Sequence, residues 1–340
     1  MSIGVAILGG GIFAREEHLP AVNKSEDLTL KAIYSRSLKS AKSLETDESK
    51  VDLYSDDSGS GKGLDDLLSR SDIHAVIIAL PIKNQPEYIR KALLVGKHVL
   101  SEKPVAENVK EGIELIEWYE KEIQPKGVTF GVAENARFWA ATVYAGELRQ
   151  KAGQALTFRA RMQTLLEGGK YYETDWRKVP THQGGFLLDG GVHFTASLRV
   201  LLGNNEPIAS ISAHTAQLQK HLPPVDTIEA TAKTKNGAVG SISISFGTTA
   251  GGSEYHVGSK DGFVSVSNKV VTSGGKEGKI EEEGSGVTPE VRAWGEGLAS
   301  KKPNPLQSPR EALADLEIIE ACLRSGEQGG APIELKYQQV

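Results

Sequence analysis

Three side chains in this chain have the types that proton-coupled chemistry needs. Lys103 closes the segment Ser101-Glu102-Lys103-Pro104 just after a short apolar run. An ammonium there could polarise a substrate oxygen and stabilise an alkoxide, or it could be an ordinary lysine in a surface turn. Asp189 and His193 stand four residues apart in Gly184-Gly185-Phe186-Leu187-Leu188-Asp189-Gly190-Gly191-Val192-His193. On a helix both would share one face. The carboxylate could then orient and charge-balance an imidazole acting as general acid or base. Taken singly, a histidine on a helix is more often a satisfied structural residue. His182, Asp189 and His193 have no metal-ligand spacing, so no metal is expected.

A second group of residues points to a dinucleotide. Gly9-Gly10-Gly11-Ile12-Phe13-Ala14 follows the apolar run Ile3 to Leu8 and matches G-x-G-x-x-A. In that pattern Gly9 allows a tight turn, Gly11 lets backbone amides approach a pyrophosphate, and Ala14 lets helix and strand pack closely. Such turns are common on their own, and the position after a first strand is what favours nucleotide binding. Pro20 should kink or end the following helix. The second apolar run ends in Tyr34-Ser35-Arg36-Ser37, with Lys39 beyond and no acid. A 2′-hydroxyl typically meets Asp or Glu at this place, whereas a 2′-phosphate needs cations and hydroxyls. Arg36 could pair with the phosphate and cover the adenine while Ser35 and Ser37 donate hydrogen bonds. The alternative is an exposed basic loop. NADP(H) is the expected cofactor.

Elements must hold these residues in place, and 340 residues exceed what one core usually supports. Apolar runs at Ile3 to Leu8, Leu28 to Tyr34, Ala75 to Leu80 and His98 to Leu100 are separated by amphipathic segments, notably Pro86 to Val95 and Lys110 to Glu122. That alternation predicts a parallel sheet flanked by helices. Beyond Gly127 to Val132 come longer alternating runs at Ala155 to Gln163, Ile208 to Gln217, Thr227 to Thr234 and Val239 to Phe246, with a turn at Asn236-Gly237. These predict an open, mostly antiparallel sheet. The fold class is therefore α/β, with a dinucleotide domain over residues 1–125 and a substrate and oligomerisation domain over 126–340. His193 to Leu202 has helical spacing and ends at Gly203. Gly274 to Gly286 should form a loop or hairpin. Ser308, Pro309 and Glu311 resemble a capping box, and the helix of 308–325 is expected to pack back on the first domain.

Composition excludes several function classes. The net charge of -5 arises from 39 basic residues scattered among 44 acidic ones, so no nucleic acid is expected as partner. No apolar run approaches the roughly 20 residues of a bilayer span, so no membrane is expected either. Cys322 is the only cysteine, which excludes an internal disulfide and a cysteine metal site. A reducing compartment follows, and the start of the chain reads as a buried strand instead of a targeting signal. The expected location is the cytoplasm and the expected partner a small molecule.

With these residues in view the chain resembles the Gfo/Idh/MocA group, which includes glucose-fructose oxidoreductase and inositol dehydrogenase. The glycine turn, Glu102-Lys103-Pro104 and Gly184-Gly185 with Asp189 and His193 occur in that family's order over essentially the whole chain. Gly11 to Arg15 with His18-Leu19-Pro20, Val132 to Asn135, and Trp176-Arg177 look like a fungal, NADP-dependent branch. The resemblance implies an NADP-dependent oxidoreductase acting on a hydroxyl or carbonyl carbon of a small polar substrate such as a sugar, polyol, aldehyde or ketone. It implies that Lys103, Asp189 and His193 work around C4 of the nicotinamide, and that Leu80, Pro81, Asn84 and Glu102 lie at its ribose. Trp176 and Arg177 would reach the cofactor from the second domain, unless they serve packing between domains. Many sugar-oxidising members carry an aromatic-Asn/Gln-Arg-Arg segment where this chain has Glu134 to Trp139, so specificity cannot be carried over. Asn135, Trp139 and Tyr171, with Tyr172, are candidates to meet substrate, although aromatic residues are more often core. A homodimer is expected through residues between about 150 and 270, because an open sheet would otherwise expose a large apolar face. The competing reading is a non-catalytic NADP-sensing regulator of the repressor type. The presence of all three catalytic candidates favours the enzyme.

Overall fold

A computed structural model describes residues 2–44 and 50–339. It divides into two compact units, one of residues 1–134 and 287–309, the other of 135–286 and 310–340.

The first unit is built on six strands in the order β3-β2-β1-β4-β5-β6. They are β1 (Ile3–Leu8), β2 (Leu28–Ser35), β3 (Asp52–Ser55), β4 (Ala75–Ile78), β5 (His98–Glu102) and β6 (Phe130–Ala133), and neighbouring pairs are all parallel. Helices α1 (Leu19–Lys24), α2 (Leu38–Lys42), α3 (Leu64–Leu68), α4 (Gln85–Leu94) and α5 (Val109–Glu122) connect them. Covered on both faces, the central strands read as continuous apolar runs. Residues 5–8 of β1 and 75–78 of β4 are all at 0% exposure. Strand β3 has no such run, since only Tyr54 and Ser55 of Asp-Leu-Tyr-Ser are buried, and pairing with β2 alone reveals it.

The second unit carries nine strands, in the order β14-β13-β12-β11-β7-β10-β9-β8-β15. These are β7 (Ala155–Leu165), β8 (Ile208–Ala216), β9 (Thr227–Thr234), β10 (Val239–Ser245), β11 (Gly247–Ser259), β12 (Gly262–Ser267), β13 (Val270–Ser273), β14 (Lys276–Lys279) and β15 (Ile333–Glu334). Every pair is antiparallel except β7 with β10. The helices of this unit are α6 (Ala140–Lys151), α7 (Asp175–Lys178), α8 (Gly185–Leu202) and, beyond α9 (Val287–Ser300), α10 (Pro309–Glu327). The expected loop or hairpin at Gly274 to Gly286 is in part the β13–β14 hairpin, turning at Gly274-Gly275.

Two expectations need correction. The segment that returns to the first unit is 287–309, carrying α9, whereas the terminal helix belongs to the second unit. Charge explains its place: Arg137 and Arg199 converge on Glu311 and Asp315 of α10, with Arg137 Nη2 2.7 Å from Asp315 Oδ1 and Arg199 Nη1 2.7 Å from Glu311 Oε2. The sheet face expected to be apolar is polar. On β9, Ile228, Ala230 and Ala232 are buried while Glu229, Thr231 and Lys233 are exposed. Ser243 Oγ donates to Glu229 at 2.6 Å, Gln163 donates to Ser243 at 2.8 Å, and Arg159 pairs with Glu254 at 3.0 Å across that face.

Candidate active site

In the first unit the glycine turn has the form a pyrophosphate needs. Gly9 has φ +133, and a Cβ there would lie 2.2 Å from the Ala79 carbonyl oxygen. Gly10, unmarked in the sequence reading, is equally constrained, since its Cβ would meet the Ser40 carbonyl oxygen at 2.4 Å. A Cβ on Gly11 would meet nothing within 4 Å, so backbone lines open space there. Arg15 N bonds back to Gly11 O at 3.1 Å, so the helix opens at the glycine turn. Ile12 and Phe13 are half-buried in this first turn and Ala14 is fully buried. Together these residues fit a dinucleotide phosphate.

At the end of β2, Ser35 is buried and Arg36 is exposed, with no hydrogen bond or ion pair among the described residues. Ser37 Oγ caps α2 by accepting from Ser40 N at 3.2 Å, which leaves its own hydroxyl proton to donate elsewhere. Acids absent from this stretch of sequence arrive from the end of β3. Tyr34 donates to Asp56 at 2.7 Å, and Asp57 accepts from Leu38 N at 2.7 Å and Ser55 Oγ at 2.6 Å. The Ser55 hydroxyl, followed by the Leu38 amide, holds the Asp57 carboxyl below the usual range. They were invisible from the β2 segment because strand pairing alone brings them there.

The same carboxyl edge carries the other first-unit candidates. Leu80 and Pro81 are half-buried, and Asn84 is exposed in a 3₁₀ turn where its amide donates to Pro81 O at 2.9 Å. Gln85 follows, buried with no partner for its carboxamide among the described residues, and the sequence reading missed it. Glu102 and Lys103 are half-buried at the end of β5, and Glu102 Oε1 lies 2.7 Å from Nε2 of fully buried His18.

In the second unit Asp189 and His193 do lie on one helix, α8, whose start is set by Gly184 and Gly185 at φ +71 and +51. Asp189 is buried and its Oδ2 accepts from Arg177 Nε at 2.7 Å. Arg177 also donates to Tyr171 O at 3.0 Å, and its guanidinium lies 4.1 Å from the centre of the Trp176 ring. The Trp-Arg pair thus clamps the Asp189 carboxylate within this unit. Trp139 faces His193 with ring centroids 6.3 Å apart, so one wall of the histidine is aromatic. Its indole N–H is engaged elsewhere: Trp139 Nε1 and Asn135 Nδ2 both donate to Ser285 O, at 2.9 and 2.7 Å. Tyr171 is half-buried and offers its carbonyl to Arg177, while Tyr172 is buried core, edge-on to Phe186. His182 Nε2 is held at the Gly185 carbonyl, 3.1 Å away. No helix among the described residues is long and apolar enough to cross a membrane.

A parallel sheet with a glycine turn at its first crossover, followed by an open sheet unit, defines a two-domain α/β oxidoreductase class. Residues 3–130 match the oxidoreductase family with an NAD-binding Rossmann fold, and residues 151–335 match its C-terminal alpha/beta domain. The chain belongs to the Gfo/Idh/MocA family. Dehydrogenase FPY6 of Fusarium mangiferae is 41% identical over 99% of this chain and 100% of its own length. An uncharacterized protein of Saccharomyces cerevisiae is 31% identical over 98% and 99%. The crystal structure of an oxidoreductase from Thermotoga maritima superposes with a TM-score of 0.86 at 33% identity, covering 98% of each chain.

Proposed function

We propose that this protein is an NADP-dependent oxidoreductase that moves a hydride between the cofactor and a hydroxyl or carbonyl carbon of a small polar substrate. The observation that carries the cofactor choice is Arg36, exposed and without a partner among the described residues at the end of β2. A guanidinium so placed suits a 2′-phosphate, with Ser35 and Ser37 as neighbouring donors. The amides around Gly11 would hold the pyrophosphate, and Leu80, Pro81, Asn84 and Glu102 would line the nicotinamide ribose. When bound, the nicotinamide supplies or accepts the hydride.

The protein's own part is to manage a proton on the substrate oxygen, since an unassisted alkoxide is costly away from water. Lys103 would polarise that oxygen or share its proton, and His193 would carry the proton to or from it. Asp189 would hold the imidazole, with Arg177 fixing the carboxylate's direction. Trp139 beside His193 gives a flat surface suited to a sugar or other cyclic substrate. The substrate class includes sugars, polyols, aldehydes and ketones, and the buried single thiol suits a cytoplasmic protein. Two copies would pair through the polar outer face of the nine-stranded sheet as a hydrated interface, detectable as a dimer by light scattering.

Titration of Arg36→Asp with both cofactors tests this reading. NADP(H) affinity should fall at least tenfold while NAD(H) affinity holds or rises. An unchanged preference for NADP(H) would place the phosphate elsewhere, whereas a wild type that prefers NAD(H) would assign the ribose to the Asp56–Asp57 pair.

A further inference from the structure

Helix α6 starts from a tryptophan, which is a poor way to start a helix. The cap position favours Ser, Thr, Asp or Asn, whose side-chain oxygens accept from the first free amides. Trp139 occupies that position, and its indole can only donate. The amides of the first turn therefore need an acceptor from elsewhere. They find it 142 residues further along the chain. The Glu282 carboxylate accepts from Ala140 N at 2.7 Å through Oε2 and from Ala141 N at 3.1 Å through Oε1. A negative charge at this end of a helix also suits its dipole.

Glu282 belongs to a strap, residues 280–286, that follows β14 within the second unit and is neither helix nor strand. At one end Ile280 N donates to Lys269 O at 2.9 Å. At the other, Gly286 N donates to Glu283 O at 3.3 Å, in a turn with φ +64 at Gly284 and +93 at Gly286. A Cβ on Gly286 would come within 2.9 Å of Trp139 Cδ1 and 2.7 Å of Asn135 O. The strap backbone thus rests against the edge of the indole. There Ser285 O accepts from Trp139 Nε1 and Asn135 Nδ2. Trp139 is held twice, by its side chain at Ser285 and through the first turn of α6 at Glu282. With its N–H engaged, the indole has ring surface to offer a ligand, and the His193 ring lies beside it, tilted by 38°.

We infer that Glu282 is a positioning residue for the substrate wall: by tying the first turn of α6 to the strap it fixes the direction of the Trp139 ring beside His193. Without the carboxylate both amides turn to water, and the hydrogen bond to Ser285 O is left to hold the ring alone. The wall would remain but would lose its single orientation. Stacking on a flat ring gains most where that orientation is set before the ligand arrives. A cyclic substrate, which lays a whole face on the indole, depends on it more than a short acyclic one does. This inference rests on the reading of Trp139 as a surface that meets substrate.

Fluorine NMR on the full chain carrying 5-fluorotryptophan tests it without any substrate. The chain has 4 tryptophans, and Trp139→Phe assigns the line that matters. Glu282→Ala should move or broaden the Trp139 line while those of Trp118 and Trp294 stay. Glu282→Gln should do the same at nearly unchanged shape, because its side-chain amide turns a donor toward one of the two backbone donors. His193→Ala should shift the Trp139 line in the wild-type background and shift it less beside Glu282→Ala, since the two rings would no longer be held together. A Trp139 line at its wild-type position in Glu282→Gln would overturn the inference and leave the carboxylate a helix cap alone. That comparison decides the matter even where Glu282→Ala fails to fold. With a cyclic substrate that the wild type uses, Glu282→Gln should raise KM about fivefold or more, with kcat and the KM of an acyclic substrate within about threefold. A moved Trp139 line with every KM unchanged would remove the substrate reading of Trp139 and leave the hold of Glu282 on the ring standing.

Discussion

The two sheets solve the burial problem in opposite ways. The six-stranded sheet has helices over both faces, so its central strands are apolar at every position and chemistry is confined to their ends, where Gly11, Arg36 and Lys103 sit. The nine-stranded sheet is apolar on one face only, and its other face is a mesh of hydroxyl, amide and charged side chains. Its candidate chemistry is therefore carried by a helix, α8, instead of strand ends. A position on the first sheet has no tolerant face, whereas half of the positions on the second do.

Five variants probe that contrast, from the largest expected effect downward. Ile77→Asp puts a charge into β4 at a site with 0% exposure and no partner, at a cost of at least about 4 kcal/mol, which should leave no cooperative thermal transition. A folded variant would mean that the first sheet has a hidden wet face. Lys103→Met and His193→Ala test the strand end against the helix. Each should lower turnover about a hundredfold or more while NADPH affinity stays within a few-fold. Normal turnover in both would dismiss them, and lost NADPH binding in His193→Ala would make that residue structural.

Glu290→Gln reads the first unit's interior through pH. Both states are protonated below the ordinary Glu value of 4.5. Above it the unfolded chain loses its proton while buried Glu290 in the folded chain holds its own more tightly, so wild-type stability should fall as pH rises, by about 1.4 kcal/mol per pH unit at most. Urea unfolding at pH 5 and pH 8 should show that decline in the wild type and a smaller one in Glu290→Gln. Parallel declines would mean that Glu290 is already ionised in the fold. Smallest of all, Thr231→Ala on the exposed face of β9 should change stability by no more than about 0.5 kcal/mol in the same assay. A larger loss would show that the polar mesh contributes to folding.

Legibility in the sequence follows the same division. β1 and β4 were readable because burial on both faces writes an unbroken apolar run, β2 because its second half, Ala32 to Tyr34, is apolar and buried, and β7 to β10 because burial on one face writes alternation. β3 was not, since its four residues carry neither signal. Helix α9 was missed because Pro289, Gly295 and Gly297 look like breakers, yet Gly295 is needed where a Cβ would come within 3.1 Å of Leu28. In the site, the glycine turn and the four-residue spacing of Asp189 and His193 are local patterns and were visible. The contacts that surround them are not local. His18 meets Glu102 across 84 residues, Asp56 and Asp57 reach β2 only through strand pairing, and Asn135 and Trp139 are tied to Ser285 some 150 residues away. The outer face was misjudged because the alternation of β9 was read for its apolar half alone.

The return of residues 287–309 to the first unit has a consequence for how the chain is made. Val287, Val291 and Trp294 belong to the same core cluster as Val5, Ile7 and Leu28. A ribosome that has released the first 134 residues has delivered every strand of the six-stranded sheet but not this covering helix. Translation of the intervening unit takes on the order of ten seconds or more. During that interval an apolar patch beside β1 waits uncovered, a natural target for chaperones that grip exposed hydrophobic surface on nascent chains.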